Sequence, residues 1–501
     1  MRSVLRILRL AVVVVVLPLH ANEFWEQPWI EVRSPHFIIV SALSEQRTVE
    51  LVKGLEDFRA AAEVVIRLAN LTDRIPTRIY VFDRRDADFV DTGIAGWFMP
   101  RMRANYAVVI PNSSLGFGAT IKHEYLHYLL HNADATRYPR WFDEGFATKF
   151  ETMEVHDKVI EFGQPPPYAL QNLQYGTWLS FDTVLGTRNI FKLAGNAREM
   201  FYLQSWLLVY YLTERANHDF GAEMRAYLAS SEAGARPVDA FNAAFGVRPE
   251  QLRPILYDYL RNKLRTTTII VNEPFPARPI QTAAVTTDSI AAELGALLLL
   301  RGRELEAKRY FDAALTTKPD NGAALVGLGD LLKFAGKFDD AQPYYEKAIS
   351  IEPKNPYHEL DYGEYFADRA SVQTERLSAD SIEARRHFAR AYALDPNIPE
   401  TLAMNGSTYL NEGRSIDKAL ASLSEAYAML PAQPDIAMLL ARAYAQSNRK
   451  ADAVKLVRAC IAWGSESSTK DADAATELLD KWGASDETAT PSTPSSDTDT
   501  Q

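Results

Sequence analysis

The segment His123-Glu124-Tyr125-Leu126-His127 has the residue types and spacing of a metal-binding pair with an adjacent base. The two histidines are four positions apart, so on a helix both imidazoles leave the same face and can bind one zinc ion. Glu124 lies beside them, where its carboxylate can accept a proton from water. The sequence therefore predicts a zinc site that activates water.

A third metal ligand must come from another segment, because catalytic zinc has three protein ligands and one open position. The apolar pattern predicts one helix over residues 118–131, and Asn, Asp, Thr and Pro within residues 132–140 predict a turn. A second helix over residues 141–153 would then bring Glu144 back toward the two histidines. Glu144 is therefore a candidate for the third ligand.

Two further segments carry a resemblance to a known family. Residues 141–147 (WFDEGFA) are similar to the WxxEGxA pattern of the aminopeptidase-type gluzincins, which are thermolysin-like zinc peptidases of the MA clan. Residues 201–212 (FYLQSWLLVYYL) resemble the helix that, in this branch, begins with the tyrosine that stabilises the oxyanion. The resemblance covers roughly residues 30–265 and extends to bacterial peptidase-like domains that precede tetratricopeptide repeats.

The resemblance implies a role for each matching residue. One Zn2+ per chain would be bound by His123, His127 and Glu144. Glu124 would be the general base, and Tyr202 would donate a hydrogen bond to the oxyanion, where the loss of one donor commonly costs ~10²–10³ in rate. The substrate would be a peptide or a protein.

The sequence departs from this family at two places. Aminopeptidases of the family have an upstream glutamate that binds the free amino terminus of the substrate, and no glutamate occurs between Glu63 and Glu124. Endopeptidase activity is therefore the better prediction. In thermolysin an aspartate four residues after the glutamate ligand orients a zinc histidine, and here that position is Thr148. Asp143 is another candidate for this orienting role.

The same residues also allow other interpretations. A pseudo-enzyme could keep the site without turnover, and Tyr202 could be an aromatic packing residue of an amphipathic helix. His131 continues the spacing of four, but on a straight helix it lies about 12 Å along the axis from His123, too far to share one ion. The metzincin pattern is excluded, because Leu130 and Ala133 stand where it has glycine and histidine.

Length, charge and the amino terminus limit the class of protein. A chain of 501 residues is too long for one hydrophobic core, so two or three domains are expected. The net charge of -11 argues against nucleic acid as a partner. Arginines followed by a short apolar run predict a signal peptide over residues 1–21 rather than a membrane span, with an uncleaved anchor as the alternative. The protein is therefore predicted to be exported, periplasmic or secreted, with no integral membrane span in the mature chain.

Beyond residue 288 the sequence repeats with the period of a tetratricopeptide repeat. A small residue, a large residue, a second small residue and a proline recur at fixed spacing. These positions are filled by Ala307, Phe311, Ala314 and Pro319, then by Ala341, Tyr345, Ala348 and Pro353, by Ala384, Phe388, Ala391 and Pro396, by Ala419, Leu423, Ala426 and Pro431, and by Ala453, Val457 and Cys460. Five helix pairs are predicted, and they either brace the preceding domain or present a concave surface to a protein partner. The single cysteine excludes a disulfide.

Strand patterns at residues 29–32, 36–40, 77–82 and 106–110 predict a mixed sheet, and the resemblance implies that the last strand is an exposed edge that binds an extended peptide. The predicted fold class is an α+β zincin-like peptidase domain, with a mixed sheet, an active-site helix and a helical subdomain, followed by an all-α tetratricopeptide solenoid. The predicted divisions are a signal peptide over 1–21, a gluzincin-like domain over 22–265, a linker over 266–288, repeats over 289–464, a capping helix over 465–483 and a disordered tail over 484–501.

The sequence thus predicts an exported zinc-dependent metallopeptidase, of endopeptidase type, with a repeat domain for protein–protein interaction. The alternative is a catalytically inactive, peptidase-like periplasmic scaffold that works through its tetratricopeptide repeats. A weaker third possibility is a zinc hydrolase that acts on bonds other than peptide bonds.

Overall fold

The computed structural model describes residues 23–66, 75–84, 89–90, 96–110, 118–133, 138–167, 169–463 and 469–483. The predicted signal peptide and the predicted disordered tail lie outside the described residues. None of the described helices has the length and apolar composition needed to cross a membrane.

A six-stranded mixed sheet forms the centre of the N-terminal domain, in the spatial order β4-β5-β3-β2-β1-β9. Its strands are β1 (Trp29–Arg33), β2 (Phe37–Ser41), β3 (Thr77–Val81), β4 (Gly96–Pro100), β5 (Asn105–Val109) and β9 (Gln281–Val285). Strands β2, β3 and β5 are parallel to one another, whereas the β1–β2, β1–β9 and β4–β5 pairs are antiparallel. A mixed sheet was predicted, and the structure confirms it.

The edge of this sheet is not the strand predicted from the sequence. The predicted strand at residues 106–110 is β5, which pairs with β3 on one side and with β4 on the other. Among the described residues the two edge strands are β9 and β4, and the sequence patterns did not predict β4. Its sequence, GWFMP, lacks the alternation of apolar and polar residues that marks a half-buried strand. It contains no β-branched residue and ends in Pro100, a residue that sheets tolerate at their edges.

Nine α-helices complete this domain within the described residues. They are α1 (Glu45–Ile66), α2 (Ala119–Ala133), α3 (Arg140–Glu151), α4 (Ala169–Tyr175), α5 (Phe181–Gly186), α6 (Gly195–Glu214), α7 (Phe220–Glu232), α8 (Pro237–Phe245) and α9 (Pro249–Asp258). Helices α1 and α2 share one apolar core with the sheet, in which the Tyr125 and Phe37 rings lie 4.9 Å apart. Helices α3 to α9 form a second core around α6, in agreement with the predicted helical subdomain.

Residues 266–288, predicted to be a linker, instead contribute strands to two sheets. Strand β8 (Thr267–Ile270) joins a small sheet with β6 (Glu154–His156) and β7 (Val159–Phe162). Strand β9 pairs with β1, with Trp29 opposite Val285. The prolines that suggested a linker fall between β8 and β9, where no strand hydrogen bond is required. Threonine, isoleucine and valine on either side of them favour extended backbone.

A helical array follows, built as five antiparallel pairs and a last helix within the described residues. Its helices are α10 (Thr287–Leu300), α11 (Glu304–Thr317), α12 (Gly322–Phe334), α13 (Phe338–Ile351), α14 (Pro356–Val372), α15 (Leu377–Leu394), α16 (Pro399–Glu412), α17 (Ile416–Met429), α18 (Pro434–Gln446), α19 (Lys450–Trp463) and α20 (Thr469–Lys481). In the first pair Gly295 leaves room for the Phe311 ring, since a Cβ at Gly295 would lie 2.7 Å from it. Gly363 and Phe388 repeat this fit in the third pair.

The inner face of the array contacts the sheet of the N-terminal domain. The first helices of successive pairs contact one another, which puts them on the inner side of the array. Glu293 on α10 accepts hydrogen bonds from Arg78 (2.8 Å) and from Tyr80 (2.9 Å), both on β3. Arg103, in the turn between β4 and β5, forms ion pairs of 2.7 Å with Asp361 on α14 and with Glu400 on α16. The array therefore braces the N-terminal domain through the face on which a partner was expected.

One largely buried carboxylate at this contact predicts a pH-dependent stability. Burial and repulsion from Glu400 raise the pKa of Glu364 well above its ordinary value, more than Arg103 lowers it. The folded protein then keeps a proton that the unfolded chain loses above about pH 4.3. The free energy of unfolding should therefore fall as pH rises from there toward the raised pKa.

We expect Glu364→Gln to remove this decline, because glutamine is neutral at every pH. Thermal unfolding of the variant and the wild type should give similar Tm values near pH 4 and a higher Tm for the variant near pH 8. The exposed Glu375→Gln is the matched control and should follow the wild type. Equal Tm values of Glu364→Gln and wild type at both ends of this range would contradict the expectation.

Candidate metal centre

Helices α2 and α3 bring the three predicted ligands together. The buried side of α2 (Ile121, Tyr125, Leu126 and Leu129) fixes the opposite face, with His123 and His127, toward α3. The Nε2 atoms of His123 and His127 each lie 3.3 Å from the same oxygen, Oε2 of Glu144 on α3. The ligand atoms of these three residues all lie within 4.8 Å of one another.

These distances fit a tetrahedral zinc site. Zinc binds imidazole nitrogen and carboxylate oxygen at about 2.0–2.2 Å, so two ligand atoms of a tetrahedron lie roughly 3.3–3.6 Å apart. The spacing of 3.3 Å from each imidazole to Glu144 agrees with this value. Two imidazoles and one carboxylate also form a donor set that suits zinc, with a fourth position left open.

The Nδ1 atom of each histidine contacts a carboxylate, and metal-binding histidines usually have such a contact. Nδ1 of His123 lies 2.9 Å from Glu151, and Nδ1 of His127 lies 3.0 Å from Asp143. If Nδ1 carries the proton, it donates to the carboxylate and leaves the Nε2 lone pair free to bind a metal. Asp143 was a predicted candidate for this orienting contact, whereas Glu151 was missed.

A sequence signal for Glu151 does exist. Glu151 follows Glu144 by seven positions on α3, which is close to two helical turns, so both side chains leave the same face. It also lies three positions after Thr148, the residue that stands at the position of the orienting aspartate in thermolysin. Glu151 therefore lies nearly one turn further along α3 than the position at which the resemblance implies the orienting carboxylate.

Burial and neighbouring charges shift the pKa values of the residues in this cluster. Burial disfavours a protonated imidazole, but hydrogen bonds to Glu144 and Glu151 outweigh it and raise the pKa of His123 well above its ordinary value. In the same way, despite burial, Asp143 and Glu144 raise the pKa of His127 to about 10. The pKa of Glu144 is lowered, because the histidines and Arg140 outweigh its burial. Without a metal the cluster therefore holds protons, which a bound cation would displace.

His131 and Arg140 complete the surroundings of Asp143. Nε2 of His131 lies 3.0 Å from the same Asp143 oxygen that contacts His127. Arg140 Nη1 lies 3.3 Å from Asp143 and 3.4 Å from Glu144. His131 is not grouped with His123 and Glu144, but with His127 and Asp143 it forms a second set whose ligand atoms lie within 4.8 Å of one another. That His131 does not share the ion of His123 stays a prediction.

The two residues predicted to act on the substrate lie near these ligands. Glu124 is half-buried and lines a small cavity together with His127 and Glu144. The ring centroid of Tyr202, on α6, lies 6.1 Å from that of His123. Helix α6 is buried against α3 along most of its length. The structure thus brings Glu124 and Tyr202 to the candidate centre, and their catalytic roles stay predictions.

Glu151→Gln is expected to weaken zinc binding by about 10- to 100-fold, because the neutral amide polarises His123 less than the carboxylate does. The measurement is a zinc titration against a competing chelator. The matched control is Glu161→Gln, which changes a half-buried glutamate on β7 that is not among the three clustered ligands. Equal zinc affinities of Glu151→Gln and wild type would show that the 2.9 Å contact does not support the ligand.

Comparison with known proteins concerns the helical array. The family model of the tetratricopeptide repeat matches residues 298–360 and 414–466. The chain contains tetratricopeptide repeats. This match confirms the predicted solenoid. Because such repeats bind protein partners, a role in protein–protein interaction is also supported. The family model leaves residues 1–297 unmatched.

Solved structures are also similar to part of this chain. A thermophilic tetratricopeptide-repeat protein of Thermus thermophilus is 22% identical, with 38% of this chain and 98% of that chain covered and a TM-score of 0.35. PilF of Pseudomonas aeruginosa is 18% identical, with 39% and 85% covered and a TM-score of 0.32. No curated protein is significantly similar to the chain.

Proposed function

We propose that this protein is a zinc-dependent peptidase of gluzincin type, with an endopeptidase reaction at the centre between α2 and α3. The observation that carries the proposal is the convergence of three ligand atoms with an orienting carboxylate behind each histidine. Ordinary surface histidines have no need of such an arrangement, whereas a zinc site does. When bound, zinc would supply Lewis acidity and lower the pKa of water.

Each residue of the centre has its own role in the proposed reaction. His123, His127 and Glu144 hold one Zn2+. Glu124 accepts a proton from the attacking water and passes it to the leaving amine, which is general acid–base catalysis by one carboxylate. Tyr202 donates its hydroxyl hydrogen to the oxyanion that forms on the scissile carbonyl.

The substrate in this proposal is an extended polypeptide that lies along β4. That strand has a free edge within the described residues, and Phe98 and Pro100 line the cavity that also contains Glu124. An extended peptide can add to such an edge through main-chain hydrogen bonds. Export to the periplasm or the medium is part of the proposal and rests on residues 1–21, outside the described part of the chain.

A second candidate function is a scaffold that binds proteins through its repeats and has no turnover. The match of the family model to the repeats favours it, because that match supports protein–protein interaction and bears on no enzyme. In this alternative the zinc centre stabilises the N-terminal domain.

Hydrolysis of an unfolded protein separates the two functions. The mature chain is loaded with zinc, incubated with a reduced and alkylated protein substrate, and the fragments are identified by mass spectrometry. The proposal expects internal cleavage that a chelator abolishes and zinc restores. One bound zinc per chain with no cleavage of any unfolded substrate would favour the scaffold.

A further inference from the structure

A loop of the repeat array lines the cleft of the candidate metal centre. The loop comprises residues 430–434, which connect α17 to α18 and include the first residue of α18. Leu430, Ala432, Gln433 and Pro434 contribute to the same cavity as Glu124. Phe98 of β4 also lines this cavity, and the volume of the cavity is about 60 Å3. Ligand pockets commonly measure about 300–1,000 Å3. The loop therefore borders the space beside the edge strand.

This contact is built into the core of the molecule. Leu430 is only 3% exposed, and it belongs with Ile436 to the apolar cluster that contains α2. The backbone N–H of Ala432 donates a hydrogen bond of 3.4 Å to the side-chain oxygen of Asn132 on α2. The ion pairs of Arg103 with α14 and α16 hold the neighbouring part of the array against the same edge of the sheet. The loop is thus a fixed wall.

The amino acids of this loop differ from those of the equivalent loops in the other repeats. The residue before the repeat proline is Lys318, Glu352 or Asp395 in three repeats and Leu430 in the fourth. The residue after that proline is Asp320, Lys354 or Asn397 in the same three and Ala432 in the fourth. Polar and charged side chains have been replaced by apolar ones only in the loop that lines the cleft.

We propose that residues 430–434 are the specificity-determining wall of the cleft, opposite β4. An extended polypeptide laid along β4 would present a side chain to this wall, and Phe98, Leu430 and Pro434 would select an apolar side chain there. The repeat array thereby takes part in substrate selection, in addition to any partner that it binds. This inference rests on the proposed peptidase function in one respect, namely that the molecule bound in the cleft is an unfolded peptide.

The experiment uses full-length, zinc-loaded protein with Glu124→Gln, so that peptides bind without being cleaved. Fluorescent unstructured peptides that differ at one position, apolar or charged, are titrated and their anisotropy is measured. Ala432→Trp fills the cavity from the wall and should weaken binding of the apolar peptides on the order of 10- to 100-fold. Lys354→Trp is the matched control, because Lys354 is the equivalent, exposed residue two repeats earlier. It should leave binding within about two-fold of the parent.

The outcomes separate this inference from the proposed reaction. Zinc content and Tm are measured for each variant, so that a misfolded Ala432→Trp is recognised, and Ala432→Val then serves as a smaller probe with a smaller loss. Equal effects of Ala432→Trp and Lys354→Trp, no preference for apolar peptides, or no saturable peptide binding would each overturn the inference. Saturable, apolar-selective binding that Ala432→Trp weakens, together with an uncleaved peptide in the Glu124-containing protein, would support the wall and overturn the peptidase reaction alone.

Discussion

Glu124→Gln is expected to keep the zinc and to lose hydrolysis by about 10²–10⁴-fold, the usual contribution of a general base. Glutamine has nearly the same shape as glutamate but cannot accept the proton of the attacking water. Because Glu124 is not among the three clustered ligands, the metal should stay bound. The measurements are zinc per chain by elemental mass spectrometry and kcat/KM on an unfolded protein substrate.

Glu144→Ala provides the opposite pattern, in which the metal and the activity disappear together. The variant removes the oxygen that lies 3.3 Å from both imidazoles. Its loss of zinc affinity should exceed the roughly 10- to 100-fold typical of an orienting residue such as Glu151. His127→Ala should behave in the same way. Hydrolysis that persists in Glu124→Gln, or full zinc retention in Glu144→Ala, would contradict the assignment of these residues.

The second large effect is expected from Gly145→Ala, which should lower both stability and zinc affinity. A Cβ at Gly145 would overlap the backbone carbonyl of Ser205 on α6 and lie 2.8 Å from Cγ2 of Val209. Helices α3 and α6 are both buried at this contact, so one of them must shift. Overpacking of this kind typically costs about 1–3 kcal/mol. A shift of α3 also moves Glu144, the neighbour of Gly145, and a shift of α6 moves Tyr202.

Gly54→Ala is the matched control for this prediction. Gly54 also lies inside a helix, α1, but a Cβ there would meet nothing within 4 Å. Alanine is the better helix former, so Gly54→Ala should raise the free energy of unfolding by about 0.5–1 kcal/mol. Thermal unfolding and zinc titration of both variants give the comparison. Equal stabilities of Gly145→Ala and Gly54→Ala would show that α3 and α6 can separate without cost.

The close contact at Gly145 gives a physical reason why glycine follows Glu144 in the sequence. Glu144 supplies a candidate ligand, and the glycine that follows lets the backbone of α3 approach α6. Tyr202 lies on α6 one turn before Ser205, the residue that Gly145 contacts. The glycine thus couples the ligand helix to the helix of the predicted oxyanion donor.

The brace between array and sheet changes how a protein partner must bind. The inner faces of α10, α14 and α16 contact Arg78 and Arg103 of the N-terminal domain. A partner therefore meets the outer helices or the ends of the array, unless it displaces these ion pairs. The array and the candidate metal centre form one structural unit in which a repeat loop lines the cleft.

The sequence by itself determined the local features. The spacing of His123 and His127 follows from the helical period, and the position of Glu144 follows from a turn of known length between two amphipathic helices. The repeats were predictable because each unit reuses the same small-large-small pattern, and packing of Phe311 against Gly295 needs only those local residues.

Only the tertiary structure decided the contacts between segments far apart in sequence. The spacing along α3 indicates Asp143 and Glu151 as candidates, but their contacts with His127 and His123 depend on how α3 packs against α2. Strand β4 was missed because its sequence does not alternate apolar and polar residues, and its place at the edge depends on pairing with β5. The loop at residues 430–434 reaches the cleft because the array folds back over the sheet, some 300 residues along the chain from α2. Such long-range packing depends on the fit of whole surfaces, whereas helical and repeat periods are written in neighbouring residues.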